Sequence, residues 1–151
     1  MAKVRSACSY LIVSVVAVAG LTALTLPTRA DGSSRPYGGG GRIGADEIIR
    51  KYNASGERFR IEGSCQSSCT MLLAIKNVCV EPSARLLFHA ALFPNEAGQK
   101  PPPKRQARML STYNAKLRHY LVSNGYVDSF EFHTISGSDM ISKFGYRRCP
   151  D

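Results

Sequence analysis

Two adjacent serines stand in a turn where a hydroxyl could act as a nucleophile. Ser67 and Ser68 lie in GSCQSSCT at 63–70, between a predicted strand at 58–62 and a predicted apolar helix at 70–75. A serine at a tight strand-to-helix turn presents its hydroxyl at the sheet edge, and the backbone N–H groups that follow can bind an oxyanion. Serine and threonine at such a turn also serve as helix N-caps. The turn therefore indicates either acyl-transfer chemistry or a capping role.

A histidine lies within the next long apolar segment. His89 stands in RLLFHAALF at 85–93, which is too apolar for a surface element and predicts a buried strand. Burying an imidazole is costly unless it forms hydrogen bonds. His89 is therefore either a satisfied core histidine or a general base that takes the proton of Ser67.

Cysteine spacing predicts two disulfides rather than a metal site. The chain has five cysteines, and Cys8 lies in the N-terminal leader described below. The other four, Cys65, Cys69, Cys79 and Cys149, form an even set in an exported chain, which is typical of disulfides. Their spacing fits no zinc pattern well. We predict no metal and no other cofactor.

The predicted helix bears on how the cysteines pair. A helix at 70–77 would separate Cys69 and Cys79 by about 12 Å, whereas bridged cysteines have Cα atoms within about 7 Å. The pairs Cys65–Cys69 and Cys79–Cys149 are therefore favoured. The alternative pairs, Cys65–Cys149 and Cys69–Cys79, need a distorted or shorter helix.

Residues 1–30 have the pattern of a secretory signal peptide. Lys3 and Arg5 precede the apolar run Leu11–Leu26, and Ala30 is a small residue at the expected cleavage position. The run is shorter than the roughly 20 residues of a membrane-spanning helix, which favours cleavage over an uncleaved anchor. We expect a periplasmic or secreted protein that begins near Asp31 and has no stable membrane span after cleavage.

Positive charge is in excess, but its distribution does not indicate nucleic-acid binding. The formal net charge is +9, and the densest cluster surrounds three prolines at 101–103 (Lys100, Lys104, Arg105 and Arg108). Nucleic-acid binding favours a basic face with interleaved aromatic residues, which this cluster lacks. We predict no nucleic-acid partner. Attraction to anionic envelope material remains an alternative.

Hydrophobic periodicity outlines one α/β domain at 45–151, after a flexible glycine-rich segment at 31–44. The predicted elements are a helix that begins at the N-cap Asp46 and ends at 53–56, strands at 58–62, at 78–80 and from 85, a short helix at 70–75, a long helix at 105–123, and a helix at 138–143. Strands separated by helices favour a partly parallel sheet packed with helices. The disulfides would staple this small core.

Several of these residues resemble the proteolytic subunit group of the Clp proteases, within the crotonase-like superfamily. In that family a glycine precedes the nucleophilic serine by four positions, as Gly63 precedes Ser67, and the histidine follows a turn proline by seven, as His89 follows Pro82. The pattern G-x-C-x-S-x-C-T followed by F-H-x-A is similar to that of small exported Clp-like proteins of bacteria. The resemblance covers roughly residues 38–147.

The resemblance implies a crotonase-like core and a role for each matching residue. Ser67 would be the nucleophile and His89 the base, with Ser68 as the fallback nucleophile. The N–H groups of Ser68 and of Gly40 or Gly41 would form the oxyanion hole.

The sequence also departs from the family pattern. The family's triad acid lies between the long helix and the last helix, where Asp128 is preferred over Glu131 and Asp139, and none of the three matches well. The strand that normally precedes the Gly-Gly loop is missing or replaced by the segment at 31–44. No ATPase docking feature is visible, and we expect no ATPase partner.

The leading functional hypothesis is an exported, peptidase-like serine hydrolase acting on a peptide or ester through Ser67 and His89. The first alternative is a non-catalytic envelope protein that retains the crotonase-like fold. The second is a small basic binding module. A homo-oligomer is compatible with each hypothesis.

Overall fold

The computed structural model describes residues 31–151, so the predicted signal peptide at 1–30 lies outside the described residues. This part of the chain is an α/β structure with a partly parallel sheet, helices and two disulfides, as predicted. The strands are β1 (Gly32–Ser33), β2 (Phe59–Ile61), β3 (Ser64–Gln66), β4 (Val78–Val80), β5 (Arg85–Phe88) and β6 (His133–Ser136). The α-helices are α1 (Ala45–Ser55), α2 (Pro103–Ser111), α3 (Ala115–Ser123) and α4 (Gly137–Ser142), and 3₁₀ helices span Arg35–Tyr37, Ser67–Ala74 and Pro94–Glu96.

The strands form two three-stranded sheets that are linked along the chain, because β3 follows β2 and β5 follows β4. In the first sheet β1, β2 and β4 are all parallel; in the second, β3 is parallel to β5, and β5 is antiparallel to β6. Two hydrogen bonds bridge the junction, from Glu81 N–H to the Ile61 carbonyl at 2.9 Å and from Arg85 N–H to the Gly63 carbonyl at 2.8 Å. The second sheet thus continues the first, and β3 and β5 lead directly to the serine turn and to His89.

Helix α1 packs its apolar face against the first sheet. Ile48 is buried, and the ring of Tyr52 meets the ring of Phe59 edge-on, with centroids 4.7 Å apart. Gly44, with φ of 69°, occupies the N-cap position that was predicted for Asp46. Asp46 lies in the first turn instead, where its negative charge interacts favourably with the positive end of the helix dipole.

The long helix predicted at 105–123 is two helices. The chain breaks between α2 and α3 at 112–114, where the Asn114 side chain caps α3 by accepting a hydrogen bond from Leu117 N–H at 2.9 Å. Tyr113 is buried at the break and keeps the helical spacing of apolar residues intact. The periodicity therefore predicted the buried face correctly and missed the cap.

Three strands were not predicted, because backbone pairing rather than hydrophobic pattern defines them. Residues 63–68 were predicted to be a turn but contain β3, and β6 pairs along β5. The segment at 31–44, predicted to be flexible, contains β1 and a 3₁₀ helix. Ser34 is fully buried there, and its hydroxyl donates to the Glu62 carbonyl and accepts from Glu62 N–H. A short strand thus precedes the glycine loop at 38–41.

The disulfides join Cys65 to Cys69 and Cys79 to Cys149, which confirms the favoured pairing. The first closes on the serine turn, and the second ties the C-terminus to β4. Across residues 31–151, none of the helices combines the length and the apolar character needed to cross a membrane.

The two disulfides differ in the length of chain that they close, with sequence separations of 4 and 70 residues. We expect alanine at both Cys79 and Cys149 to lower the free energy of unfolding by about 2–5 kcal/mol. The matched change at Cys65 and Cys69 should lower it less, because a disulfide that closes a shorter loop removes less entropy from the unfolded chain. Urea unfolding of both double variants measures this. A larger loss from the Cys65 and Cys69 variant would contradict the loop-length argument.

Candidate active site

Ser67 begins a 3₁₀ helix with an unusual backbone conformation. It follows β3 directly, and its φ is 54°, which makes it the only non-glycine residue with positive φ within 31–151. A left-handed conformation costs a residue with a Cβ about 1–2 kcal/mol, and such strain concentrates at functional sites. The buried disulfide between Cys65 and Cys69 brackets the turn, with Cα atoms 5.3 Å apart. The fold therefore holds Ser67 in a strained turn of the kind that exposes a nucleophile.

A glycine loop lies against this turn. A Cβ at Gly40 would stand 2.5 Å from the Gln66 carbonyl oxygen and 2.7 Å from the Ser67 Cβ, so only glycine permits this approach. Gln66 holds the loop twice, through its backbone N–H to the Gly38 carbonyl at 3.0 Å and through its side-chain amide to the Gly39 carbonyl at 2.9 Å. The loop is thereby fixed beside the serine.

The loop contains only part of the predicted oxyanion hole. Of the two glycines predicted as donors, Gly40 already donates its N–H to the Tyr37 carbonyl at 2.9 Å. Gly41 lines the same cavity as Ser67, and its N–H has no acceptor within the described residues. Ser68 N–H lies in the first turn of the 3₁₀ helix, ahead of the helix's own hydrogen bonds. Gly41 and Ser68 are therefore the available donors.

The Ser68 hydroxyl already has a structural role. It donates to the Gly41 carbonyl at 2.5 Å, which ties the glycine loop to the helix start. The Ser67 hydroxyl has no hydrogen-bond partner among residues 31–151. This difference favours Ser67 over Ser68 as the nucleophile.

A buried chain of hydroxyls supports the serine turn from behind. The Thr70 hydroxyl donates to the Ser67 carbonyl at 2.7 Å, and the Tyr113 hydroxyl lies 2.7 Å from the same Thr70 oxygen. Because Thr70 uses its single proton on Ser67, Tyr113 must be the donor of the second bond. Burial raises the pKa of Tyr113, which keeps that proton in place. The break between α2 and α3 thus positions a group that steadies Ser67.

His89 follows β5 and lines the cavity that contains Ser67. The imidazole is 4% exposed and packs against two phenylalanine rings, with its centroid 4.9 Å from that of Phe130 and 4.6 Å from that of Phe132. Its Nδ1 atom is buried and has no hydrogen-bond partner among residues 31–151. Burial lowers the pKa of His89, so the imidazole is neutral at pH 7, as a general base requires.

The two predicted catalytic side chains share a cavity but are not bonded. No hydrogen bond joins the Ser67 hydroxyl to the His89 imidazole, although both residues are fully described. Catalytic hydrogen bonds are often long in a ligand-free site and tighten when substrate binds. Ser67 and His89 thus line one cavity, and their roles as nucleophile and base stay a prediction.

The predicted acid is not part of this site. Asp128 is exposed, and it does not line the cavity with His89. Glu131 is also exposed, and Asp139 pairs with Lys143 at 3.1 Å. Asp128, the residue preferred as the triad acid, therefore lies away from the cavity, because its turn places the carboxylate at the surface. The alternation of phenylalanines in the segment SFEF at 129–132 is the sequence signal that was missed.

The cavity itself has a volume of about 430 Å³. Besides Ser67 and His89, its lining is largely apolar and includes Met71, Leu92, Phe93, Met109, Phe130 and Phe132. A pocket of this size and character suits a small organic ligand. In the described part of the chain no cluster of His, Cys, Asp and Glu side chains could hold a metal ion.

Two arginines at the rim of this cavity are already paired. Arg105 contacts both carboxylate oxygens of Glu96, at 2.7 and 2.8 Å, and Arg108 pairs with Asp46. Arg105, together with Phe93 N–H, lowers the pKa of Glu96 to about 2. The Arg105–Glu96 pair thus stays ionised across ordinary pH.

Comparison of the chain with protein-family models, with curated proteins and with solved structures finds no match.

The hydroxyl chain behind Ser67 predicts unequal costs for two conservative substitutions. Thr70→Val leaves the Ser67 carbonyl and the Tyr113 hydroxyl without their shared partner, whereas Tyr113→Phe leaves the Thr70 bond to Ser67 intact. We expect Tyr113→Phe to lower the free energy of unfolding by about 1 kcal/mol and Thr70→Val by about 2–3 kcal/mol. Equal losses of unfolding free energy for the two variants, measured by chemical unfolding, would show that Thr70 does not link Tyr113 to the Ser67 carbonyl.

The burial of His89 predicts a pH dependence of stability. Its pKa is lower in the folded than in the unfolded chain, so the unfolded chain binds the additional proton as pH falls below about 6.5. We expect the wild-type chain to lose stability between pH 7 and pH 5 relative to His89→Phe, which fits the aromatic surroundings. His119→Gln controls for the loss of a histidine. Parallel stability curves for wild type and His89→Phe would contradict the assignment.

Proposed function

We propose that the chain is a serine hydrolase in which Ser67 is the nucleophile and His89 is the general base. The observation that carries the proposal is the left-handed backbone of Ser67, at a strand-to-helix turn facing the cavity that His89 also lines. A serine that only caps a helix normally has an extended backbone and does not adopt this strained conformation.

The proposed chemistry is acyl transfer. Neutral His89 takes the hydroxyl proton as Ser67 Oγ bonds to the substrate carbonyl carbon, and the carbonyl oxygen becomes an oxyanion. The N–H groups of Ser68 and Gly41 stabilise that charge. The imidazolium then protonates the leaving amine or alcohol as its bond to carbon breaks. Water, activated by the same imidazole, releases the acyl group and restores Ser67.

In the proposed mechanism no carboxylate assists the His89 imidazole. The rings of Phe130 and Phe132 pack on the imidazole and restrict its rotation, which is one of the tasks of a triad acid. They cannot stabilise the imidazolium as a carboxylate does. We therefore infer a slow Ser–His dyad, with His89 moving toward Ser67 when substrate fills the cavity.

The family and compartment proposals rest on the sequence. We infer a crotonase-like core and a peptidase-like activity from the serine and histidine motifs, and export from the pattern at 1–30. The two disulfides support a periplasmic or secreted location, because such bonds persist in oxidising compartments.

A second candidate function is non-catalytic binding. The unpartnered Nδ1 of His89 and the missing hydrogen bond to Ser67 favour it. In that case the cavity binds a ligand that it does not cleave, and the fold is retained without the activity.

Labelling with a fluorophosphonate distinguishes the two candidates. We expect the oxidised protein to be labelled, Ser67→Ala to abolish labelling, and His89→Ala to slow it by about 10²–10⁴-fold. Asp128→Asn is the matched control and should label at the wild-type rate, because that carboxylate is exposed away from the cavity. Labelling that persists in Ser67→Ala, or a folded wild-type protein that resists labelling, would refute the hydrolase.

A further inference from the structure

A second, outer groove continues from the serine cavity. It runs along the start of α1 and shares five lining residues with the cavity, namely Gly41, Ser68, Met71, Phe93 and Arg108. Ser67 lines the apolar cavity, and its neighbour Ser68 lines both the cavity and the charged groove. A substrate whose reacting carbonyl meets Ser67 can extend into both.

The outer groove carries more positive than negative charge. Three arginines and two acids line it (Arg42, Arg50, Arg108, Asp46 and Glu47). Arg108 is paired with Asp46, and Arg105 in the neighbouring cavity is paired with Glu96. Among the described residues Arg50 has no carboxylate partner, and neither does Arg42, the arginine that directly follows the cavity residue Gly41. The guanidinium of Arg42 therefore remains available to an anionic group.

Arg42 is also held in position. Its guanidinium carbon lies 5.1 Å from the centre of the Phe93 ring, and that of Arg105 lies 4.5 Å from the same ring. Phe93 is fixed in turn, because its N–H donates to the Glu96 carboxylate at 2.7 Å. Arg42 directly follows Gly41, whose carbonyl accepts the Ser68 hydroxyl. The exposed guanidinium of Arg42 is thus held near Phe93, a residue that lines both the cavity and the groove.

We propose that the substrate carries an apolar group that fills the cavity and a carboxylate that Arg42 binds across the scissile bond. A guanidinium presents paired N–H donors that match a carboxylate. The substrate class is therefore an amide or ester with an apolar acyl part and a carboxylate on its leaving group. This specificity rests on the proposed hydrolase, in which Ser67 takes the acyl group and the carboxylate-bearing amine or alcohol departs with the proton from His89.

Binding to the inactive Ser67→Ala protein tests the specificity separately from catalysis. The probes are N-hexanoylglycine and its neutral counterpart N-hexanoylglycinamide, measured by titration calorimetry at low salt. We expect the carboxylate to bind about tenfold more tightly than the amide. Arg42→Gln should abolish the difference, and Arg42→Lys should restore part of it. Arg118→Gln, an exposed arginine of α3 that lines neither cavity, should preserve it.

The outcomes separate the two proposals. Equal affinity for the two probes, no binding of either at millimolar concentration, or a preference that survives Arg42→Gln would overturn the carboxylate site. If Ser67 labels with a fluorophosphonate while the probes bind equally, the hydrolase stands and Arg42 has no part in specificity. If the preference holds and labelling fails, the cavity is a carboxylate-binding site without the proposed chemistry.

Discussion

The left-handed backbone of Ser67 is the constraint on which the surrounding structure depends. Its cost of about 1–2 kcal/mol must be offset locally, and three features of the fold do so. The disulfide between Cys65 and Cys69 spans the turn, and Thr70 bonds the Ser67 carbonyl from behind. Gly40 packs where no side chain would fit. Strain supported from three sides is what a preorganised nucleophile requires.

His89 is held in place by different interactions from those that hold Ser67. Aromatic packing rather than a charged partner holds the imidazole of His89, and burial keeps it neutral. A neutral base beside an apolar cavity can accept a proton, but the imidazolium that results lacks a counter-ion. In the proposed hydrolase, the apolar surroundings that position the base therefore also limit its rate.

Hydrophobic pattern predicted the buried elements and failed where backbone pairing or a single cap decides the structure. The alternation at 58–62 and the apolar segment at 85–93 led correctly to β2 and β5, and cysteine spacing led to the correct disulfides. Strand β3 contains Ser64 and Gln66 and has no apolar periodicity, so only its ladder with β5 defines it. The motif resemblance associated Ser67 with His89, and the two residues line one cavity. The aromatic contacts of His89 depend on the segment at 129–132, which no residue spacing predicted.

The crystal structure of the protein after reaction with a fluorophosphonate tests the central claim most directly. We expect phosphorus bonded to Ser67 Oγ, with the backbone of Ser67 still in the left-handed conformation. A phosphonyl oxygen should accept hydrogen bonds from the N–H groups of Ser68 and Gly41, and the His89 imidazole should lie within hydrogen-bond distance of the adduct. An adduct on Ser68, or an adduct on Ser67 whose phosphonyl oxygen points away from both N–H groups, would contradict it.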